Sequence, residues 1–87
     1  MKRAIRFHAD AFEDYLFWSQ TDPKVFRKLN ALIKEAARTP FEGTGSPEPL
    51  KHEWQGYWSR RLTQEHRLIY KVTDAEIIVA ECRLHYK

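Results

Sequence analysis

Arg61, Arg67, Arg83 and His85 have types and spacing suited to gripping a phosphate. In the C-terminal half hydropathy alternates with a two-residue period, and alternate side chains of a strand face opposite ways. If Leu68, Tyr70 and Val72 face a core, Arg67 points away from it with Ile69 and Lys71. By the same rule Trp58 and Leu62 turn inward and Arg61 outward. Ile78, Ala80, Cys82 and Leu84 would share the core face, leaving Val79, Glu81, Arg83 and His85 on the other. Cations and an imidazole gathered on one open sheet face can hold a nucleic-acid backbone. Solvation of an open sheet face produces the same pattern, so alternation alone leaves both readings standing. Arg60 fits neither, because it falls on the Trp58 face.

Glu48 and Lys51 lie in the loop that leads into these strands, which brings a carboxylate and an ammonium to the edge of the same face. Tyr57, Trp58 and Tyr86 lie in or beside the strands, where aromatic rings can stack on bases. Trp58 reads better as core, whereas Tyr86 reads equally as a stacking ring or as surface. Glu48, between Pro47 and Pro49, also reads as an ordinary loop residue, and His85 as a solvated one. His8, His52 and His66 read as surface or edge histidines and receive no role. No Cys/His cluster with metal-ligand spacing occurs, so neither a metal nor another cofactor is expected.

These residues need a scaffold to position them. Residues 3–8 suit a short first strand. Asp10 suits the N-cap of a helix reaching about Ser19, with Ala11, Tyr15 and Trp18 at helical spacing and Phe12 and Leu16 widening the stripe. Asp22 followed by Pro23 signals a second helix start, since proline's missing N–H costs nothing at the first helical position. That helix carries Val25, Leu29, Leu32, Ile33 and Ala36 on one face and ends at Thr39-Pro40. Residues 40–49 are dense in Pro and Gly and read as irregular loop. Residues 57–62, 67–73 and 77–84 follow as strands with connections short enough for antiparallel hairpins. The expectation is one α+β domain over residues 1–87: a helical hairpin packed on one face of a small antiparallel sheet, in the order β-α-α-β-β-β.

Composition agrees. The 87 residues suffice for one domain, which at this size buries only about 60–65% of the surface its unfolded chain exposes. The chain is 14% aromatic, and aromatic rings bury much area per residue ordered. Cys82 is the single cysteine, so no internal disulfide can form. The longest apolar run, residues 77–80, is too short to cross a membrane, and residues 1–7 alternate basic and apolar side chains rather than forming a leader. A cytoplasmic location without membrane contact is therefore expected. Fifteen Lys and Arg against twelve Asp and Glu give a formal charge of +3, compatible with RNA or with an acidic protein partner.

Residues 39–72 carry a Thr-Pro-Phe-Glu-Gly turn, Pro-Glu-Pro-Leu-Lys, Trp-Ser-Arg-Arg and Glu-His-Arg-Leu-x-Tyr in succession. With EDYLFW at residues 13–18 and Cys-Arg-x-His-Tyr at residues 82–86, this resembles the YoeB toxins of the RelE/ParE superfamily over nearly the whole chain. The chain departs from the pattern in continuing to Lys87 and in placing Leu84 where an aromatic residue can occur. The resemblance implies the RelE-like fold and a ribosome-dependent endoribonuclease, the toxin of a type II toxin–antitoxin system. It implies metal-free attack of an RNA 2′-hydroxyl on the adjacent phosphate, with Glu48 as general base and His85 as general acid. Arg67 would stabilise the phosphorane, Lys51 and Arg61 would position the backbone, and Tyr86 would help seat the nucleotide; Arg83, placed on the same face by alternation, is a further RNA-binding candidate. Partners implied are the ribosome with its mRNA, an acidic YefM-like antitoxin that folds on contact, and a second toxin copy. Two rivals are a DNA gyrase poison of the same superfamily and a binding module without chemistry.

Overall fold

The computed structural model describes residues 2–84, so His85, Tyr86 and Lys87 lie outside the described residues. The chain runs through β1 (Ala4–Phe7), α1 (Ala9–Thr21), α2 (Pro23–Arg38), the two-residue strand β2 (Glu48–Pro49), a single 3₁₀ turn (His52–Trp54), β3 (Tyr57–Arg61), β4 (Arg67–Val72) and β5 (Glu76–Glu81). The α+β class and the helical hairpin on one sheet face are as the sequence predicts. At the α1–α2 junction Asp22 accepts from the Val25 backbone N–H at 3.2 Å, with Pro23 opening α2. The start of α1 differs: His8 occupies the N-cap position and Asp10 falls in the first turn, where a carboxylate favours the helix dipole instead.

The sheet order is β1-β5-β4-β3-β2. It is mixed rather than antiparallel, because β1 pairs parallel with β5 from Ala4↔Glu76 to Phe7↔Val79. The helical hairpin supplies the crossover that a parallel pair requires. Short β2 rises out of the loop expected over residues 40–49 and pairs with β3 through Glu48↔Ser59 and Pro49↔Trp58.

The core lies between the helices and the sheet. Leu29, Leu32, Ile33, Ala36 and Ala37 of α2 and Ala11 and Trp18 of α1 meet Leu62, Leu68, Tyr70, Ile77, Val79 and Cys82. Phe12, expected in the α1 stripe, is exposed and packs beside Phe7 and Tyr15 at the rim. The inward face of β5 corrects the expectation. Ile69 pairs with Glu81 but Tyr70 with Val79, so Ala80 is an extra residue, a β-bulge. The bulge shifts the alternation: Ile77 and Val79 face the core before it, Cys82 after it, and Ile78 does not. Strand β5 also stops at Glu81, before Cys82.

Arg60 is buried on the core side of β3, where a charge is costly unless fully paired. Its Nε donates to the Tyr70 hydroxyl at 3.0 Å. Nη1 donates to the Glu35 carboxylate and to the Thr44 carbonyl at 3.1 Å, and Nη2 to the Thr39 and Glu42 carbonyls at 2.5 and 2.9 Å. All five guanidinium donors are thereby used. The Tyr70 hydroxyl in turn donates to the Pro40 carbonyl at 2.6 Å. The loop from α2 to β2 thus folds around one cation. Gly43 has φ +120°, and a Cβ there would stand 2.2 Å from Glu35 Oε2, so the loop closes only over glycine.

The Thr44 backbone N–H, its hydroxyl and the Arg60 guanidinium hold the Glu35 carboxyl below the usual carboxylate range, against the opposing effect of burial. A lowered folded-state pKa gives stability that is complete above the unfolded value, near 4.5, and is lost as pH falls through the folded value. Urea unfolding between about pH 3 and 7 should show a flatter acid dependence for Glu35→Gln than for the wild type. At neutral pH Arg60→Met should cost about 3–5 kcal/mol, because one substitution strands a carboxylate, a hydroxyl and three carbonyls.

Candidate functional site

Strand β3 turns Tyr57, Ser59 and Arg61 to the face away from the helices, and β4 turns Arg67, Ile69 and Lys71 the same way. The Glu48↔Ser59 pairing sets the Glu48 carboxylate on that face. Arg67 Nη1 donates to Glu48 Oε1 at 3.2 Å and to Ser59 Oγ at 2.9 Å. The Arg67 and Glu48 side chains are 41% and 56% exposed, so both can still meet a ligand. An ion pair this open contributes little to stability, which leaves positioning as its main effect. Sequence reasoning missed Ser59. This small, fully buried hydroxyl between two cationic rows carries no periodic signal, yet it orients Arg67.

Arg61 stands directly opposite Arg67 in the antiparallel register. Like charges so placed disfavour the sheet, and they concentrate positive potential beside the Glu48 carboxylate. The Arg61 backbone N–H is held by the Gly45 carbonyl at 2.7 Å, so the Arg60-organised loop also fixes this position. Lys51 is exposed just before the 3₁₀ turn, two residues past β2. Trp58 faces the core side, half-buried against Phe41, as expected. Tyr57 packs edge-on to Trp54 and lies under the Lys71 ammonium, 5.8 Å from its ring centre.

Arg83 follows the end of β5 and is half-buried, its guanidinium 3.6 Å from the centre of the Phe17 ring on α1. It lines an open concavity of about 1030 Å3 together with Tyr57, Glu81 and the α1 residues Asp10, Glu13 and Phe17. The expected group of cations is therefore divided: Arg61 and Arg67 flank Glu48, and Arg83 stacks against the α1 wall. His85 and Tyr86 lie outside the described residues.

The stretch leading to them is tightly held. Trp18 Nε1–H donates to the Cys82 carbonyl at 2.9 Å, and the Cys82 N–H donates to buried Asp14 at 3.3 Å. The Leu84 N–H donates to His66 Nδ1 at 2.9 Å. His66 received no role from the sequence, since a contact across 18 residues leaves no local signature. Burial, with Asp14 and Glu81 adding to it, pushes the Cys82 thiol up to about 12, so it stays protonated and packs as a small apolar group. Among the described residues no group of three or more His, Cys, Asp or Glu is placed to hold a metal ion, and no helix is long and apolar enough to cross a membrane.

A family model described as YoeB-like toxin of bacterial type II toxin–antitoxin systems matches residues 7–86. The toxin YoeB of Escherichia coli K12 is 56% identical over 77 residues, covering 88% of this chain and 92% of that protein. The chain belongs to the YoeB toxin family. Among solved structures, a YoeB dimer from Staphylococcus aureus superimposes with a TM-score of 0.89 at 45% identity, covering 99% of this chain and all of that one. A heterotetrameric YoeB–YefM toxin–antitoxin complex from the same organism gives a TM-score of 0.90 at 45% identity with the same coverage. The mixed five-stranded sheet under two helices is thus the YoeB fold, and the chain is a toxin of the toxin–antitoxin type.

Trp18→Phe keeps the ring packing but leaves the Cys82 carbonyl without its donor. A loss of about 1–3 kcal/mol, read as a lower urea midpoint with unchanged slope, is the expected outcome.

Proposed function

We propose that this YoeB-family toxin is an endoribonuclease that cuts mRNA on the ribosome by metal-free acid–base chemistry. The observation that carries the reading is the exposed Glu48 carboxylate held beside Arg67, with Arg61 across the strand. A carboxylate within reach of a ribose hydroxyl can act as a general base. Glu48 takes the proton of an RNA 2′-hydroxyl, whose oxygen attacks the neighbouring phosphorus. The phosphorus–5′-oxygen bond breaks, and His85 donates the proton that the leaving oxygen needs, which leaves a 2′,3′-cyclic phosphate. Arg67 neutralises the charge gathering on the non-bridging oxygens, where a preorganised donor has the most effect. Lys51, Arg61 and Arg83 hold the RNA backbone and Tyr86 seats the nucleotide.

The YoeB–YefM complex and the YoeB dimer are properties of the staphylococcal relatives. For this chain they support a YefM-like antitoxin, acidic in its binding segment and folding on contact, and a homodimer. The ribosome with its mRNA is the proposed target, in the cytoplasm.

Mapping of mRNA ends in a translating extract tests the chemistry. Wild-type toxin should produce cuts within codons at the decoding site. His85→Ala and Glu48→Gln should each lower the cleavage rate by about 10²–10⁴-fold while ribosome binding persists. Wild-type toxin that binds ribosomes and leaves mRNA intact would overturn the reading in favour of a binding module or a gyrase poison.

A further inference from the structure

The open face of the sheet continues past Arg61 and Arg67. Along β3 it carries Arg61, Ser59 and Tyr57, and along β4 their cross-strand partners Arg67, Ile69 and Lys71. We propose that Tyr57 and Lys71 form a second nucleotide subsite, which takes the RNA nucleotide on the 5′ side of the cut. The base of that nucleotide packs on the Tyr57 ring, and its 5′-phosphate meets the Lys71 ammonium. The inference rests on the nuclease reading and extends it to the RNA beyond the reacting phosphate.

The order of residues along the strands gives the direction. An attacking 2′-hydroxyl belongs to the nucleotide 5′ of the phosphate that is cut. Glu48, which takes the proton of that hydroxyl, pairs with Ser59, midway between the Arg61–Arg67 row and the Tyr57–Lys71 row. With the phosphate at Arg67 and the ribose at Glu48, the RNA running toward its 5′ end arrives at Tyr57 and Lys71. The two rows are four residues apart, about 13 Å at the rise of a strand. A nucleotide with its flanking phosphates bridges that distance.

The side chains suit the task. Trp54 meets the half-buried Tyr57 ring at 5.1 Å and 86°, a perpendicular contact that fixes the ring without stacking on it. Aromatic rings on a sheet face take bases of any identity, because every base has a π-face. The Lys71 ammonium lies 5.8 Å from the Tyr57 ring centre, near the outer limit of a cation–π contact, and is held only weakly there. Lys71 is exposed and makes no ion pair among the described residues, whereas Arg6 on the same face is paired with Glu76. A base arriving on Tyr57 thus frees a cation beside its own phosphate. Charge elsewhere supports the same path. Trp54 and Tyr57 line the concavity whose α1 wall carries exposed Asp10 and Glu13. These carboxylates repel a phosphate backbone and confine it to the β3–β4 line, while an uncharged base can turn into the concavity.

The test uses full-length toxin with programmed ribosomes. Lys71→Met should raise KM several-fold with kcat nearly unchanged, the pattern of a contact equally strong in ground and transition states. The slope of log affinity against log salt should fall by about one in that variant. Tyr57→Leu should raise KM about 5- to 100-fold, and Tyr57→Phe should restore the wild-type value. A 4-thiouridine placed immediately 5′ of the cut, with Glu48→Gln toxin to prevent cleavage, should crosslink on irradiation to residues 54–57. The same probe placed 3′ of the cut should not. Wild-type KM and salt slope in Lys71→Met, or a 5′ crosslink that falls on other segments, would each overturn the proposal. So would a lowered melting midpoint in Lys71→Met with the salt slope unmoved, the mark of a lysine that only caps the Tyr57 ring. If Tyr57→Leu fails to fold, Lys71→Met and the crosslink still decide it. Failure of the nuclease reading is recognised separately, as wild-type toxin that binds programmed ribosomes and cuts nothing.

Discussion

The fully buried guanidinium of Arg60 organises everything on the side of the sheet where Glu48 enters. The loop from Thr39 to Gly45 has too few apolar residues to fold by burial, and two of its residues, Gly43 and Gly45, take positive φ. It acquires shape because three of its carbonyls converge on one planar cation whose charge is balanced by Glu35. Once that loop is set, the Gly45 carbonyl meets the Arg61 N–H and the chain arrives at β3 in register for Glu48 to oppose Ser59. Two paired residues would be a poor strand alone. They are held here between a loop anchored on Arg60 and the Leu50 N–H, which donates to the Tyr57 carbonyl at 2.9 Å.

A second constraint works at the opposite end of the sheet. The extra residue Ala80 in β5 changes which side chains meet the helices, so that Cys82 can be buried beside Ala11 and its backbone gripped by Trp18 and Asp14. Without the bulge, strict alternation from Val79 would turn residue 82 outward and strip the final stretch of its contacts with α1. The helical hairpin therefore does more than cover a core. α1 forms the wall against which the C-terminal stretch is laid, and Arg83 stacks on its Phe17.

Much of this was legible in the residues. Asp22-Pro23, the α2 stripe ending at Thr39-Pro40, and the alternation that sends Arg61 and Arg67 to the open face all rest on short-range rules, and short-range rules are what a sequence displays. Three features were not. The mixed sheet depends on where β1 docks, and nothing within residues 4–7 distinguishes a parallel partner from an antiparallel one. The β5 face was misassigned because a bulge is defined by the partner strand's count and leaves Ile78 looking as apolar as Val79. Arg60 appeared as a violation of alternation, and it made sense only when carbonyls from residues 39–44 were seen to close around it. The violation was itself the signal: a cation on a core face demands a ring of acceptors, and the Gly- and Pro-rich loop was the available source.

The two arginines on the open face and the one beneath it show opposite solutions to the same electrostatic problem. Arg60 has every donor committed and can do nothing but hold structure. Arg61 and Arg67 face each other across a strand pair, an arrangement that solvent and Glu48 only partly relieve. A polyanion laid across β3 and β4 would relieve that repulsion more fully, and in doing so would draw Arg67 from the Glu48 carboxylate toward phosphate. The carboxylate would then be left adjacent to the ribose as the guanidinium turned to the phosphorus. In the proposed reaction the Arg67–Glu48 contact of the free site would be the one that substrate exchanges.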